Sequence, residues 1–190
     1  MIKAVIFDCF GVLTGGGWKQ FREEYFAADP DLLQHSMDMD KAVNAGFLNY
    51  DDFLNEISAL TDLPFDDVKK RLNGSVPNEM LFEFIKAELK PTMKIGMLSN
   101  AADNWLDQLF MPWQVELFDD VILSYETGAV KPDTQIYRTA ITKLGVEFDE
   151  AIFIDDSERY VIAAEELGMK GIHHLDTRTT IMKIKELIRA

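Results

Sequence analysis

The chain has one cysteine, Cys9, among its 190 residues. That scarcity excludes an intramolecular disulfide and a Cys-rich zinc site, and a reducing cytoplasm is the expected setting. Cys9 itself is expected to point into the core, where free cysteine is common. No apolar run approaches the ~20 residues of a membrane-spanning helix, so no membrane association is expected. The N-terminus has neither the basic segment nor the long apolar stretch of a secretory leader, because Met1-Ile2-Lys3 leads straight into a strand-like run. Clusters of lysine and arginine are missing too. With a net charge of −14, nucleic acid is not an expected partner, since backbone phosphates need a basic face. A small anion can still bind, provided local cations or a metal wait at the site. Internal repeats and low-complexity tracts are also absent.

What remains is ordinary globular material, 47% hydrophobic and 27% charged, enough for one core carrying a sizeable insert. Residues 3–8, 94–98, 121–123, 151–154 and 171–174 read as strands. Their near-continuous apolar runs suit parallel strands covered on both faces. Between them, 104–111 places Trp105, Leu106, Leu109 and Phe110 at helical spacing. Residues 133–144, 158–167 and 178–189 are further helices, the first closing on Gly145 as a C-cap. Strands alternating with helices predict an α/β fold, a Rossmann-like parallel sheet flanked by helices.

Residues 15–88 break that alternation. After Gly15-Gly16-Gly17, a hinge or a plain connecting turn, the pattern is helical throughout. Asp29-Pro30, Gly46, Pro64 and Gly74 interrupt it. Trp18, Phe21, Tyr25 and Phe26 would share one apolar face, and Phe53, Leu54, Ile57 and Leu60 another. The expected organisation is a core of residues 1–14 and 89–190 with an all-helical cap at 15–88.

Polar residues of catalytic type gather where the strands stop. Asp8 follows the first strand, Ser99-Asn100 the second and Asp155-Asp156 the fourth. Lys131, in Val130-Lys131-Pro132-Asp133, follows the third. In an open α/β sheet this edge is where ligands bind. Each residue also has a plain structural account: a lone Asp after a strand is often a turn former or helix cap, and Lys-Pro-Asp often opens a helix. Adjacent histidines at 173 and 174 would point to opposite faces of a strand, which suits a structural role better than a metal site.

Together, and in this order, these residues resemble the four motifs of the haloacid dehalogenase (HAD) superfamily, over nearly the whole chain. The resemblance implies that Asp8 is a nucleophile, with Ser99 the hydroxyl residue, Lys131 the lysine and Asp155-Asp156 the paired acids. It also implies a helical cap inserted after the first motif, and phosphatase-like chemistry. On that basis Mg²⁺ is the expected cofactor, held by Asp8, the Phe10 backbone carbonyl, Asp155 and Asp156. A small phosphorylated metabolite is the expected substrate, gripped by Ser99, Asn100 and Lys131. The chemistry is consistent: a phosphate dianion repels a carboxylate nucleophile until cations neutralise both. Hard carboxylate oxygens suit Mg²⁺, and Lys131 adds a fixed positive charge.

One position departs from the pattern. Most phosphatases of the superfamily carry a second Asp where this chain has Phe10, and a phenyl group moves no proton. Were the chain extended there, Phe10 would face the same side as Asp8. Two alternatives therefore stand beside the phosphatase. One is a metal-independent 2-haloacid dehalogenase using Asp8 as nucleophile, whose halide leaving group needs no proton but whose family members lack the paired acids. The other is a non-catalytic metal- or phosphate-binding protein.

Overall fold

A computed structural model describes residues 1–15, 17–44, 46–73, 76–101, 104 and 106–189. Gly16, Gly74 and Trp105 of the sequence reading lie outside the described residues. Five parallel strands form one sheet in the order β3-β2-β1-β4-β5. They are β1 (Ala4–Phe7), β2 (Lys94–Ser99), β3 (Asp120–Leu123), β4 (Ala151–Asp155) and β5 (Lys170–His173). The chain winds outward from β1 through β2 to β3, then crosses back to β4 on β1's other side. The point where winding reverses lies between β1 and β4, and such a switch point opens a crevice at the carboxyl ends of the strands.

Side-chain alternation explains the layers. Val5 and Phe7 face one side of β1 and join Ile95, Met97, Ile152 and Ile154 in one apolar cluster. Ala4 and Ile6 face the other and join Leu98, Ile122 and Phe153. Cys9 is fully buried in the first cluster. Helix α9 (Thr134–Leu144) covers the second face through Ile136, Tyr137, Ala140 and Ile141. It ends at Gly145, whose φ of 66° is the left-handed cap conformation the sequence predicted. Helix α11 (Thr177–Arg189) covers the first face through Ile184. Between β2 and β3, Leu106–Leu109 (α6) and Pro112–Val115 (α7) are single turns, and Ser124–Thr127 (α8) follows β3. Helix α10 (Glu158–Glu166) joins β4 to β5.

The insert after β1 supplies α1 (Gly17–Tyr25), α2 (Pro30–Asn44), α3 (Tyr50–Thr61) and α4 (Phe65–Asn73). These four helices have an apolar cluster of their own, built on Phe21, Phe26, Phe53, Leu54, Ile57, Val68 and Leu72, with Trp18 and Tyr25 packed against it. Helix α5 (Glu79–Phe84) and the wider turn at Ile85–Leu89 behave differently. Leu81, Phe82, Phe84 and Ile85 belong to the sheet's first cluster, although the sequence grouped them with the insert, and Leu89 joins them there from the expected core. An apolar helix face announces burial without naming its partner. The chain leaves and re-enters the sheet layer side by side: Thr14 pairs with Pro77, and Asn78 N–H donates to Leu13 C=O at 2.8 Å. Asn78 Nδ2 also donates to Val12 C=O at 3.0 Å and Thr177 Oγ1 at 2.7 Å, tying both connections to α11.

Candidate active site

Strand register brings the acids together. Phe7 pairs with Ile154, so the next residues, Asp8 and Asp155, emerge side by side. Asp8 N–H donates to Ile154 C=O at 2.8 Å and locks that register. Lys131 arrives from the loop after α8. Its Nζ lies 2.7 Å from Asp8 Oδ1 and 2.7 Å from Asp155 Oδ2, with the side chain 1% exposed. Asp156 completes the group, since one carboxylate oxygen from each of Asp8, Asp155 and Asp156 lies within 4.8 Å of the others. Ser157 occupies the N-cap position of α10 but its hydroxyl makes no capping bond. Its N–H instead donates to Asp155 Oδ1 at 2.8 Å, so Asp155 is held at both oxygens.

Backbone constraints aim Asp156. Gly11 has φ +91°, and a Cβ there would stand 2.6 Å from Asp156 Cγ, far inside contact distance. Only glycine fits both demands. From the opposite side, His173 Nε2 donates to the Asp156 carbonyl at 3.1 Å. His174 Nδ1 meets Thr180 Oγ1 at 2.9 Å. Each histidine is thus tied to a neighbour by its ring, and His173 supports the acid loop, a role that no local pattern signals.

Ser99 ends β2 with its hydroxyl buried, donating to Asn100 C=O at 3.4 Å. The side chain of Asn100 is engaged with Lys131: Oδ1 accepts from Lys131 N–H at 2.8 Å and Nδ2 donates to Lys131 C=O at 3.3 Å. The Tyr160 ring lies against the lysine, its centroid 5.1 Å from Nζ, and the Phe153 ring lies 5.7 Å away. Tyr160 was invisible to sequence reasoning because its contact depends on where α10 starts relative to the Lys131 loop.

Phe10 behaves unlike the extended-chain expectation. Strand β1 stops at Phe7 and the backbone turns at Cys9, so strand alternation does not reach Phe10. Its half-buried ring packs against the first apolar cluster, and its backbone bridges to Thr14.

Burial is the dominant electrostatic effect here. It pushes the Asp8 carboxyl up to about 7, against the pull of the Lys131 ammonium and with a further push from Asp155. Asp155 is raised by burial as well, again opposed by Lys131. Burial works against the charge on Lys131, but Asp155 and Asp8 outweigh it and hold the amine protonated far beyond neutral pH. Among the described residues the Lys131 ammonium bridges two of the three carboxylates, Asp8 and Asp155. One oxygen from each carboxylate lies within reach of a common point, and carboxylate oxygens are the hard donors a divalent cation takes. The residues therefore fit Mg²⁺.

Beside the cluster opens a cleft of about 530 Å³. Gly11, Thr14, Asn78, Asp156 and His174 line it from the sheet side and Glu23 of α1 from the helical insert. No helix among the described residues is long and apolar enough to cross a membrane.

A Rossmann-like parallel sheet whose carboxyl edge gathers three acids round one buried lysine marks out a class of hydrolase. Residues 2–168 match the haloacid dehalogenase-like hydrolase family, and the chain belongs to it. The sesquiterpene phosphatase astK of Aspergillus oryzae is 26% identical, over 98% of this chain and 96% of that protein. Among solved structures, an HAD-like family hydrolase from Porphyromonas gingivalis is 25% identical with a TM-score of 0.77, covering 100% of this chain and 99% of the other. The HAD family enzyme bt-2542 from Bacteroides thetaiotaomicron, in complex with magnesium and inorganic phosphate, shares the fold at 24% identity and a TM-score of 0.66. That match covers 95% of this chain and 99% of bt-2542.

Proposed function

We propose that this hydrolase is a Mg²⁺-dependent phosphatase of small phosphorylated metabolites, with Asp8 as the nucleophile. The observation that carries the proposal is the Lys131 ammonium at 2.7 Å from both Asp8 and Asp155, with Asp156 alongside. It is supported by the similarity to a named phosphatase and by the magnesium and phosphate bound to a protein of the same fold.

Asp8, Asp155, Asp156 and the Phe10 carbonyl would hold Mg²⁺, which when bound supplies charge neutralisation for the phosphate and the ionised carboxylates. Lys131 fixes Asp8 through Oδ1, and the Asp8 carboxylate would attack phosphorus. The P–O ester bond breaks as the new P–O bond to Asp8 forms, and water then releases phosphate from the aspartyl-phosphate. Ser99 Oγ and the backbone N–H groups after β2 would donate to phosphate oxygens as charge grows on them. Asn100 keeps Lys131 in register. Phe10 supplies no proton to the departing alcohol. That loss is worth about 10²–10⁴ in rate for an alkoxide leaving group and much less for a phenolate. The helical insert, which reaches the cleft through Glu23, would act as a cap that excludes water and selects the substrate.

The test pairs an aryl phosphate with 2-chloropropionate, each with Mg²⁺ and with EDTA. Phosphate release that needs Mg²⁺ and vanishes in Asp8→Asn is the expected result. Chloride release in EDTA would establish the dehalogenase instead. Turnover of neither, with Mg²⁺ and phosphate still bound, would make the chain a binding protein.

A further inference from the structure

Arg159 is the second residue of α10, three positions after Asp156. A cation in the first turn of a helix opposes the helix dipole. In a chain with 33 acidic residues, Arg159 nevertheless pairs with no carboxylate among the described residues. Its guanidinium stacks on the neighbouring Tyr160 ring at 4.8 Å and donates from Nη2 to the Tyr160 hydroxyl at 2.9 Å.

That hydroxyl is a junction. Asn100 Nδ2 approaches it to 3.5 Å, while the same ring lies 5.1 Å from Lys131 Nζ. One phenol ring thus contacts both the buried ammonium beside Asp8 and an exposed guanidinium. Lys131 already bridges Asp8 and Asp155, whereas Arg159 keeps most of its N–H fork unengaged. Such a fork matches a carboxylate or phosphate with paired hydrogen bonds.

We infer that Arg159 binds a second anionic group of the substrate, so that the site prefers phosphate esters carrying a carboxylate or another phosphate a few atoms from the reacting phosphorus. This rests on the phosphatase proposal and goes beyond it by naming the substrate class. Tyr160 is the spacer that sets the separation of the two anion sites, and Asn100 ties that spacer to the Lys131 loop.

Calorimetry with three phosphonates, which cannot be hydrolysed, tests this in the presence of Mg²⁺. Propylphosphonate carries one anionic group, 3-phosphonopropionate adds a carboxylate, and propane-1,3-diylbisphosphonate adds a second phosphonate. The wild-type protein is expected to bind the two latter compounds more tightly than propylphosphonate, and their relative affinities tell which second anion the site takes. Arg159→Gln is expected to lose that preference, about ten- to a hundredfold in Kd, the range of hydrogen bonds to charged groups. Its affinity for propylphosphonate stays within about twofold, and Arg159→Lys recovers part of the preference. An equal effect of Arg159→Gln on all three ligands, or equal wild-type affinity for all three, overturns the inference and leaves the phosphatase intact. Failure of wild type to bind any of the three brings down both.

Discussion

Asn100 holds the Lys131 backbone at both polar groups, accepting from its N–H at 2.8 Å and donating to its C=O at 3.3 Å. A side-chain amide used this way takes the place of a strand partner for a loop that has none. It also sets where the lysine side chain begins, and hence whether Nζ reaches both Asp8 and Asp155. Asn100→Ala leaves two partly buried backbone groups without partners, so a loss of about 1–3 kcal/mol in stability is expected. Phosphatase turnover should fall further than the thermal midpoint implies, because the lysine is displaced even in the folded fraction. Melting curves and kcat, measured on the same preparation, check this. Unchanged kcat at a lowered midpoint would reduce Asn100 to a structural role.

Lys131→Met tests the charge balance directly. The ammonium is buried with side-chain exposure of 1%, and its two carboxylate partners are at 9% and 0%. Removing one member of a buried ion pair costs about 3–5 kcal/mol, because the remaining charges stay desolvated. Removing a carboxylate at the same time relieves that penalty. The double variant Lys131→Met/Asp155→Asn is therefore expected to be more stable than Lys131→Met alone, with a coupling energy of at least about 1 kcal/mol. Urea unfolding of the four proteins gives the cycle, and strict additivity would contradict the account.

Much of this site was legible because short buried strands announce their own ends. Once Ile152, Phe153 and Ile154 are read as a strand, Asp155 and Asp156 must emerge at its edge, and the same holds for Asp8. Which of those ends would touch was a matter of strand order, and no local pattern encodes it. Tyr160, His173 and the Asn100 clamp act through loops paired across the sheet, so their contribution appears only in three dimensions. Phe10 shows the opposite failure. Period-two alternation was extended past the last strand residue, and the turn at Cys9 sent the ring to the apolar cluster instead.

Asp119 carries the clearest pH dependence outside the site. Burial alone would raise its pKa. The Ile95 N–H at 2.8 Å and the Lys90 ammonium at 2.9 Å outweigh burial, with Lys94 contributing at 3.3 Å, and lower it. A carboxylate with a depressed folded-state pKa stabilises the protein fully above its unfolded value of about 3.9. That contribution disappears as pH falls through the lower folded value. Asp119→Asn should therefore be less stable than wild type near neutrality, by no more than about 1 kcal/mol given solvent screening. The gap should close on acidification below about pH 4. Chemical denaturation at pH 7, 5 and 3 measures it, and a gap that widens towards acid would reverse the sign of the argument.

Gly11 makes the most specific prediction for the metal. Its φ of +91° is unfavourable to any side chain, and an added Cβ would meet Asp156 Cγ at 2.6 Å and Oδ2 at 2.7 Å. The backbone strain costs about 1–3 kcal/mol, while the collision falls on the one acid of the cluster that lines the open cleft. In Gly11→Ala the carboxylate of Asp156 must move aside, and Asp8 and Asp155 remain locked by Lys131. Disturbing the groups that orient a metal ligand weakens binding by about 10–100-fold. Titration of Mg²⁺ by calorimetry should show that loss, and the stabilisation of the fold by Mg²⁺ should shrink in parallel. Asp156→Asn serves as the reference, since it keeps the shape and removes the charge. If Gly11→Ala binds Mg²⁺ as wild type does while Asp156→Asn does not, the glycine is needed for its turn and not for the aim of the carboxylate.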